Sequence, residues 1–101
     1  MAESTIKSPY ALSKIDTSST PFRWYKWGRV VFCHFNANNI STTGDTNKIC
    51  NIPSGFEPIY TAEMKESLYG YRIQFSSGTV YTSEAISNKS IRGSITYIST
   101  N

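Results

Sequence analysis

The sequence predicts an all-β fold: a single antiparallel β-sandwich, jelly-roll-like, of seven to eight strands. Short runs rich in Ile, Val, Tyr, Phe, Trp and Thr recur along it, and these side chains fit a pleated surface. Ser, Thr, Asn, Gly and Pro part the runs at regular spacing, and Ser, Thr and Asn compete for the backbone hydrogen bonds a helix needs. Several runs alternate with period two, as in Tyr71, Ile73 and Phe75 against Arg72 and Gln74. At 101 residues the chain makes one domain. That length buries roughly 60–65% of the unfolded surface without staples.

Residues 1–20 form an N-terminal linker or wrapping segment, and 21–101 the sandwich. The first segment has few large apolar groups (Ile6, Tyr10, Leu12, Ile15), and residues 16–21 are turn chemistry. A short strand is expected near 5–7. Two strands follow, over Phe22–Trp27 and 29–38, bent at Gly28. The second lacks a polar face: Val30 and Phe32 lie on one side, Val31, Cys33 and Phe35 on the other. Leaving either side in water forfeits roughly 1.5–3 kcal/mol per large side chain. One cover is a second sheet of the same chain; a neighbouring subunit can supply the other.

Residues 38–47 form a polar loop, with Gly44 at its positive-φ position, and 48–52 a short strand. Pro53 and Pro58 bracket a turn, since neither fits a central strand. Residues 59–66 read as a strand with Tyr60, Ala62 and Met64 against Ile59, Thr61 and Glu63. Ala-Glu-Met-Lys-Glu would also suit a helix, but no cap precedes it and strands flank it. A strand over 68–75, a hairpin turn at 76–78, its return at 79–82, a loop over 83–89 and a closing strand at 90–99 complete the chain. In the last, Ile91, Gly93, Ile95 and Tyr97 share one side.

The net charge of +3 is mild and its Lys and Arg residues are scattered, with no run dense enough to track a phosphate backbone, so no nucleic-acid partner is expected. No apolar run approaches the ~20 residues of a membrane span, so no membrane insertion is expected either. The N-terminus lacks the basic start and apolar core of a secretory leader, so folding in a reducing cytoplasm is the expectation. Cys33 reads as a small buried hydrophobe. Cys50 stands on the next strand, so a cross-strand bridge and two free thiols both remain open.

Catalysis is not expected. His34 is the only histidine, the two cysteines are far apart in sequence, and no metal-ligand spacing or phosphate loop occurs, so neither metal nor cofactor is implied. Glu63 and Glu66 have opposite parity on one strand and cannot face each other as a carboxylate pair. A binding role suits the composition better. Trp24, Tyr25, Trp27, Tyr69, Tyr71 and Tyr81 offer large, rigid, amphipathic area, with Asn36, Asn38, Asp45 and Arg72 as polar companions. The proposed ligand contacts are Trp24, Tyr25, Trp27, Asp45, Tyr69 and Tyr81. The competing role for each is packing. Alternation puts Trp24 on the face opposite Tyr25 and Trp27, and one of those faces is core.

The order Trp-Tyr-Lys-Trp-Gly-Arg-Val-Val (24–31), a long apolar strand, then Asn-Ile-Pro-Ser-Gly-Phe-Glu-Pro (51–58) and a closing Gly-Ser-Ile-Thr-Tyr-Ile (93–98) resembles the C-terminal β-sandwich, or head, domain of phage tail-fibre and baseplate receptor-binding proteins. Ile52, Pro53, Gly55, Phe56 and Pro58 stand where that group has a Leu-Pro-x-Gly-Tyr-x-Pro turn. The resemblance spans about 21–100 and implies a homotrimer that attaches to a bacterial cell-surface saccharide or other receptor. It would place Val30, Phe32 and His34 at the subunit interface. The implied location is the virion tail or baseplate, after folding in the bacterial cytoplasm. The chain departs from the group in carrying no collagen-like or coiled-coil stalk. Ligand sites in the group lie in variable loops and between subunits, so none carries over by residue. A carbohydrate-binding module of a larger glycan-acting protein and a purely structural virion decoration are the competing expectations.

Overall fold

The computed structural model describes residues 14–16, 21–43 and 47–100, the first three through their backbone. Its strands are β1 (Lys14–Asp16), β2 (Phe22–Trp27), β3 (Val30–Ile40), β4 (Asn47–Asn51), β5 (Ala62–Lys65), β6 (Arg72–Ser76), β7 (Thr79–Thr82) and β8 (Lys89–Ile98). They form two four-stranded antiparallel sheets, ordered β1-β2-β3-β8 and β4-β7-β6-β5. No helix occurs among the described residues, so none there is long and apolar enough to cross a membrane.

Alternation decides which side chains meet between the sheets. Phe22 and Trp24 of β2, Val31, Cys33 and Phe35 of β3, and Ile91, Ile95 and Tyr97 of β8 point inward from the first sheet. Ile73, Phe75 and Val80 answer from the second. Phe22 stacks on Phe35 at 4.8 Å, and Trp24 meets the edge of Phe75 at 5.9 Å. The Trp24 indole N–H has no acceptor among the described residues, a cost of about 1–3 kcal/mol. Burying so large an aromatic surface offsets it. The inward sets expected on β6 and β8 are those observed.

The proline turn is a plug. Gly55, at φ 95°, turns the chain so that Phe56 enters the core fully buried. The Lys26 ammonium donates to the Gly55 carbonyl at 2.6 Å, and the Tyr97 hydroxyl donates to the Phe56 carbonyl at 2.6 Å. At another corner Gly93 is closely packed: a Cβ there would displace the Met64 methyl and lie 3.1 Å from the Phe35 ring. This close approach lets β5 fold against β8.

Two boundaries differ from the alternation pattern. The strand expected over 59–66 shortens to β5, because the Ile59 N–H donates to the Ile98 carbonyl and Pro58 bridges Ser99. That holds 58–59 against the first sheet and leaves Tyr60 exposed. The strand expected from Leu68 begins only at Arg72. Residues 67–70 form a tight loop around Glu66, whose side chain is 2% exposed and accepts the N–H groups of Leu68, Tyr69 and Tyr71. Cys33 and Cys50 are free thiols. The strand expected near 5–7 and the positive φ expected at Gly44 lie outside the described residues.

Candidate functional site

β3 explains why one face of the first sheet is unusual. Its inward residues are buried and its outward residues, Val30, Phe32, His34, Asn36 and Asn38, are not. No described element packs on that outward face. The second sheet roofs only the inner side, so the apolar side chains on the other remain at the surface.

Register sorts the outer face into rows. Trp27, Val30 and Ile98 make one; Tyr25, Phe32 and Thr96 the next; Arg23, His34 and Ser94 a third; Asn36 and Arg92 the last. Val30 is 38% exposed and Ile98 46%, so two aliphatic side chains extend the aromatic strip. The Tyr25 and Trp27 rings lie 6.4 Å apart and nearly parallel, at 22°, and Phe32 tilts against Tyr25 at 6.1 Å. These three rings and His34 line a shallow depression. Beside His34 the chemistry changes. Pro21, Arg23, His34 and Asn36 line one adjoining hollow, and His34, Lys65, Arg92 and Ser94 take part in lining another. The face is therefore half aromatic and half basic.

The six residues proposed as ligand contacts do not converge. Trp24 must be withdrawn from the set: its ring is 0% exposed between the sheets and has no surface to offer a ligand. Asp45 lies outside the described residues. Tyr25 and Trp27 share the outer face of the first sheet, whereas Tyr81 stands on the outer face of the second, in register with Lys48 and Gln74. Arg72 is also on that second face, 3.6 Å from Glu63, away from the aromatic rows. Tyr69 projects from the loop tied by Glu66, with Tyr71 at 5.7 Å and the Lys89 ammonium 5.7 Å from its ring centre. Ser67 fastens that loop to the edge strand by donating to the Arg92 carbonyl from both its N–H and its hydroxyl.

Sequence reading missed two parts of this arrangement. Arg23 and Arg92 look like scattered surface charges until pairing sets them on either side of His34. Glu66 looks like a solvated carboxylate until it is buried. Parity does place Arg23, His34 and Phe32 on one face, but it cannot bring in β8.

The chemistry elsewhere is sparse. Among the described residues no three His, Cys, Asp or Glu side chains gather as metal ligands. A larger hollow, about 800 Å³, opens between the proline turn and the Ser77-Gly78 hairpin. Its one carboxylate, Glu57, already accepts the Gly55 N–H at 2.8 Å. Burial pushes the Cys33 thiol well up from its ordinary range and Cys50 up to about 12, which suppresses the nucleophilic thiolate. The outer face of the first sheet is thus the best-founded candidate surface. No protein-family model, curated protein or solved structure matches the chain, so it is the residues of that face that must argue its role.

Proposed function

We propose that the chain is a non-enzymatic virion component of a phage or prophage, the head domain of a tail-fibre or baseplate protein. In this reading it assembles as a homotrimer and attaches to saccharide on the bacterial surface. The observation that carries it is the strip of Trp27, Val30, Phe32 and Ile98, on which no described element packs, whereas the opposite side of the same strand is fully buried. Covering such side chains is worth roughly 1.5–3 kcal/mol each. In a ring of three, the strip of one copy meets a different surface of the next. The second sheet, in which β5-β6-β7 form a meander and β4 returns beside β7, has Greek-key order, which supports a sandwich head. Three linked sites would then turn weak saccharide contacts into firm attachment through avidity.

Light scattering on the purified chain tests the assembly. The expected mass is three times the 11.3 kDa of one chain, and Phe32→Asp should reduce it to a single chain. A single-chain mass for the unaltered protein at micromolar concentration would overturn the trimer. A second reading, a monomeric carbohydrate-binding module, draws on the near-parallel Tyr25 and Trp27 rings, which make a flat platform for a sugar face. Glycan binding by a single-chain species, lost in Trp27→Ala, would favour it.

A further inference from the structure

We infer that the saccharide taken by this face is acidic: a cell-surface polysaccharide bearing anionic groups, held by Arg23 and Arg92 on either side of His34. The inference rests on the proposed attachment to bacterial-surface saccharide; it assigns that attachment to the basic half of this face, beside the apolar strip that the next copy covers, and names the chemistry of what attaches.

Register supplies the geometry. Arg23, His34 and Ser94 form one row across β2, β3 and β8, and Asn36 and Arg92 form the next. Directly opposed side chains in an antiparallel pair start about 5 Å apart, and successive rows about 7 Å apart. Both guanidinium groups therefore come within reach of one anionic group seated over His34. Arg92 is held for this: its Nε donates to the Asn36 side-chain oxygen at 3.0 Å, which leaves the terminal nitrogens of its fork for a ligand.

The described carboxylates are engaged elsewhere. Glu63 pairs with Arg72, Glu66 accepts three backbone N–H groups, Glu84 accepts the Arg72 N–H and Glu57 that of Gly55. The basic rows thus meet no described counter-charge, and an acidic ligand would supply it. The cluster is two rows deep, suited to one or two anionic groups rather than to a phosphate backbone running across the surface. Tyr25, in the adjoining row, offers a ring face to the attached sugar.

The test uses the assembled protein on surfaces coated with dextran, polygalacturonate, poly(glycerol phosphate) or a single-stranded oligonucleotide. Stronger binding to at least one acidic polymer than to dextran and the oligonucleotide is expected. It should weaken as salt rises and fall at least tenfold in Arg23→Ser/Arg92→Ser. The charge-matched pair Lys48→Ser/Arg72→Ser, on the opposite sheet, should bind like the parent. The two acidic arms distinguish carboxylate from phosphate as the recognised group. The proposal is overturned by equal binding to dextran, by oligonucleotide binding as strong as that to the acidic polymers, or by no loss in the arginine variant. Light scattering of the same samples keeps the two ideas apart. A trimer that binds neither acidic polymer better than dextran refutes this inference alone, and a single-chain species that does refutes the trimer alone.

Discussion

The two faces of the β1-β2-β3-β8 sheet carry comparable loads of large side chains and end in opposite circumstances. Inward, Phe22, Trp24, Val31, Phe35 and Ile91 are sealed against the second sheet; outward, Tyr25, Trp27, Val30, Phe32 and Ile98 meet no described layer. Hydrophobicity does not distinguish them. What does is the second sheet, which lies on one side only, together with the Phe56 plug and the Ile86 side chain buried from the 83–88 loop. A polar outer face is the ordinary solution for a sandwich, and the second sheet adopts it with Lys48, Tyr81, Gln74 and Glu63 in register. The apolar half of the first sheet's outer face departs from that solution, which is why it reads as a contact surface.

Substitutions can break this comparison or sharpen it. The largest effect belongs to Trp24→Ala, which empties the centre of the aromatic cluster and should cost about 3–5 kcal/mol in urea unfolding. A loss below about 1 kcal/mol would mean that the inner face is not the core. Gly93→Val comes next. The added bulk drives into Met64 and Phe35 at the β5–β8 corner, and a loss of about 1–3 kcal/mol is expected, read as a lower urea midpoint.

Alkali gives a slower, graded change. Burial lifts Cys50 from 9.0 to about 12 and raises Cys33 further, with Cys50 as a second cause there. Burial likewise raises the Tyr97 phenol, aided by Cys33 and Glu57. Each group holds its proton more tightly folded than unfolded. Their contribution is therefore complete below pH 9 and declines as pH rises toward about 12. Thermal midpoints across that range should fall, and both thiols should resist a disulfide-exchange reagent at neutral pH until urea exposes them. A fast native reaction of either thiol would show that the inner face opens. Smallest is Trp27→Ala, expected within about 1 kcal/mol of the parent in the unfolding of single chains, because its ring lies on the open face. A loss matching that of Trp24→Ala would mean that the outer face is covered after all.

Much of the inner face was legible from residue order. Strands β2 and β7, most of β3 (which runs two residues past the expected end, to Ile40), and the inward sets Tyr71, Ile73, Phe75 and Ile91, Gly93, Ile95, Tyr97 follow from a period of two, a property of each strand alone. Leu68 and Glu66 were not legible. A leucine beside an apolar run reads as strand and a glutamate reads as solvated; the reverse arises because one carboxylate collects three N–H groups of its own loop. Tyr60 was misplaced for a related reason, since a hydrogen bond from Ile59 to a strand far along the chain overrode local alternation. As for the candidate surface, Phe32 and His34 could be put on one face by counting, but Trp24 and Trp27 could not be assigned to core and surface. Parity separates the two rings without saying which side the second sheet will take.

By itself, then, the sequence determined an all-β chain, a β3 apolar on both sides, and the turn chemistry at Gly28 and around Pro53 and Pro58. Tertiary structure alone decided which side of β3 is roofed, that Phe56 closes the core, and that Arg92 joins Arg23 beside His34. The reason is physical. Alternation is dictated by the covalent geometry of a single strand, whereas coverage and the meeting of charges depend on which distant strand pairs with which, and in what register.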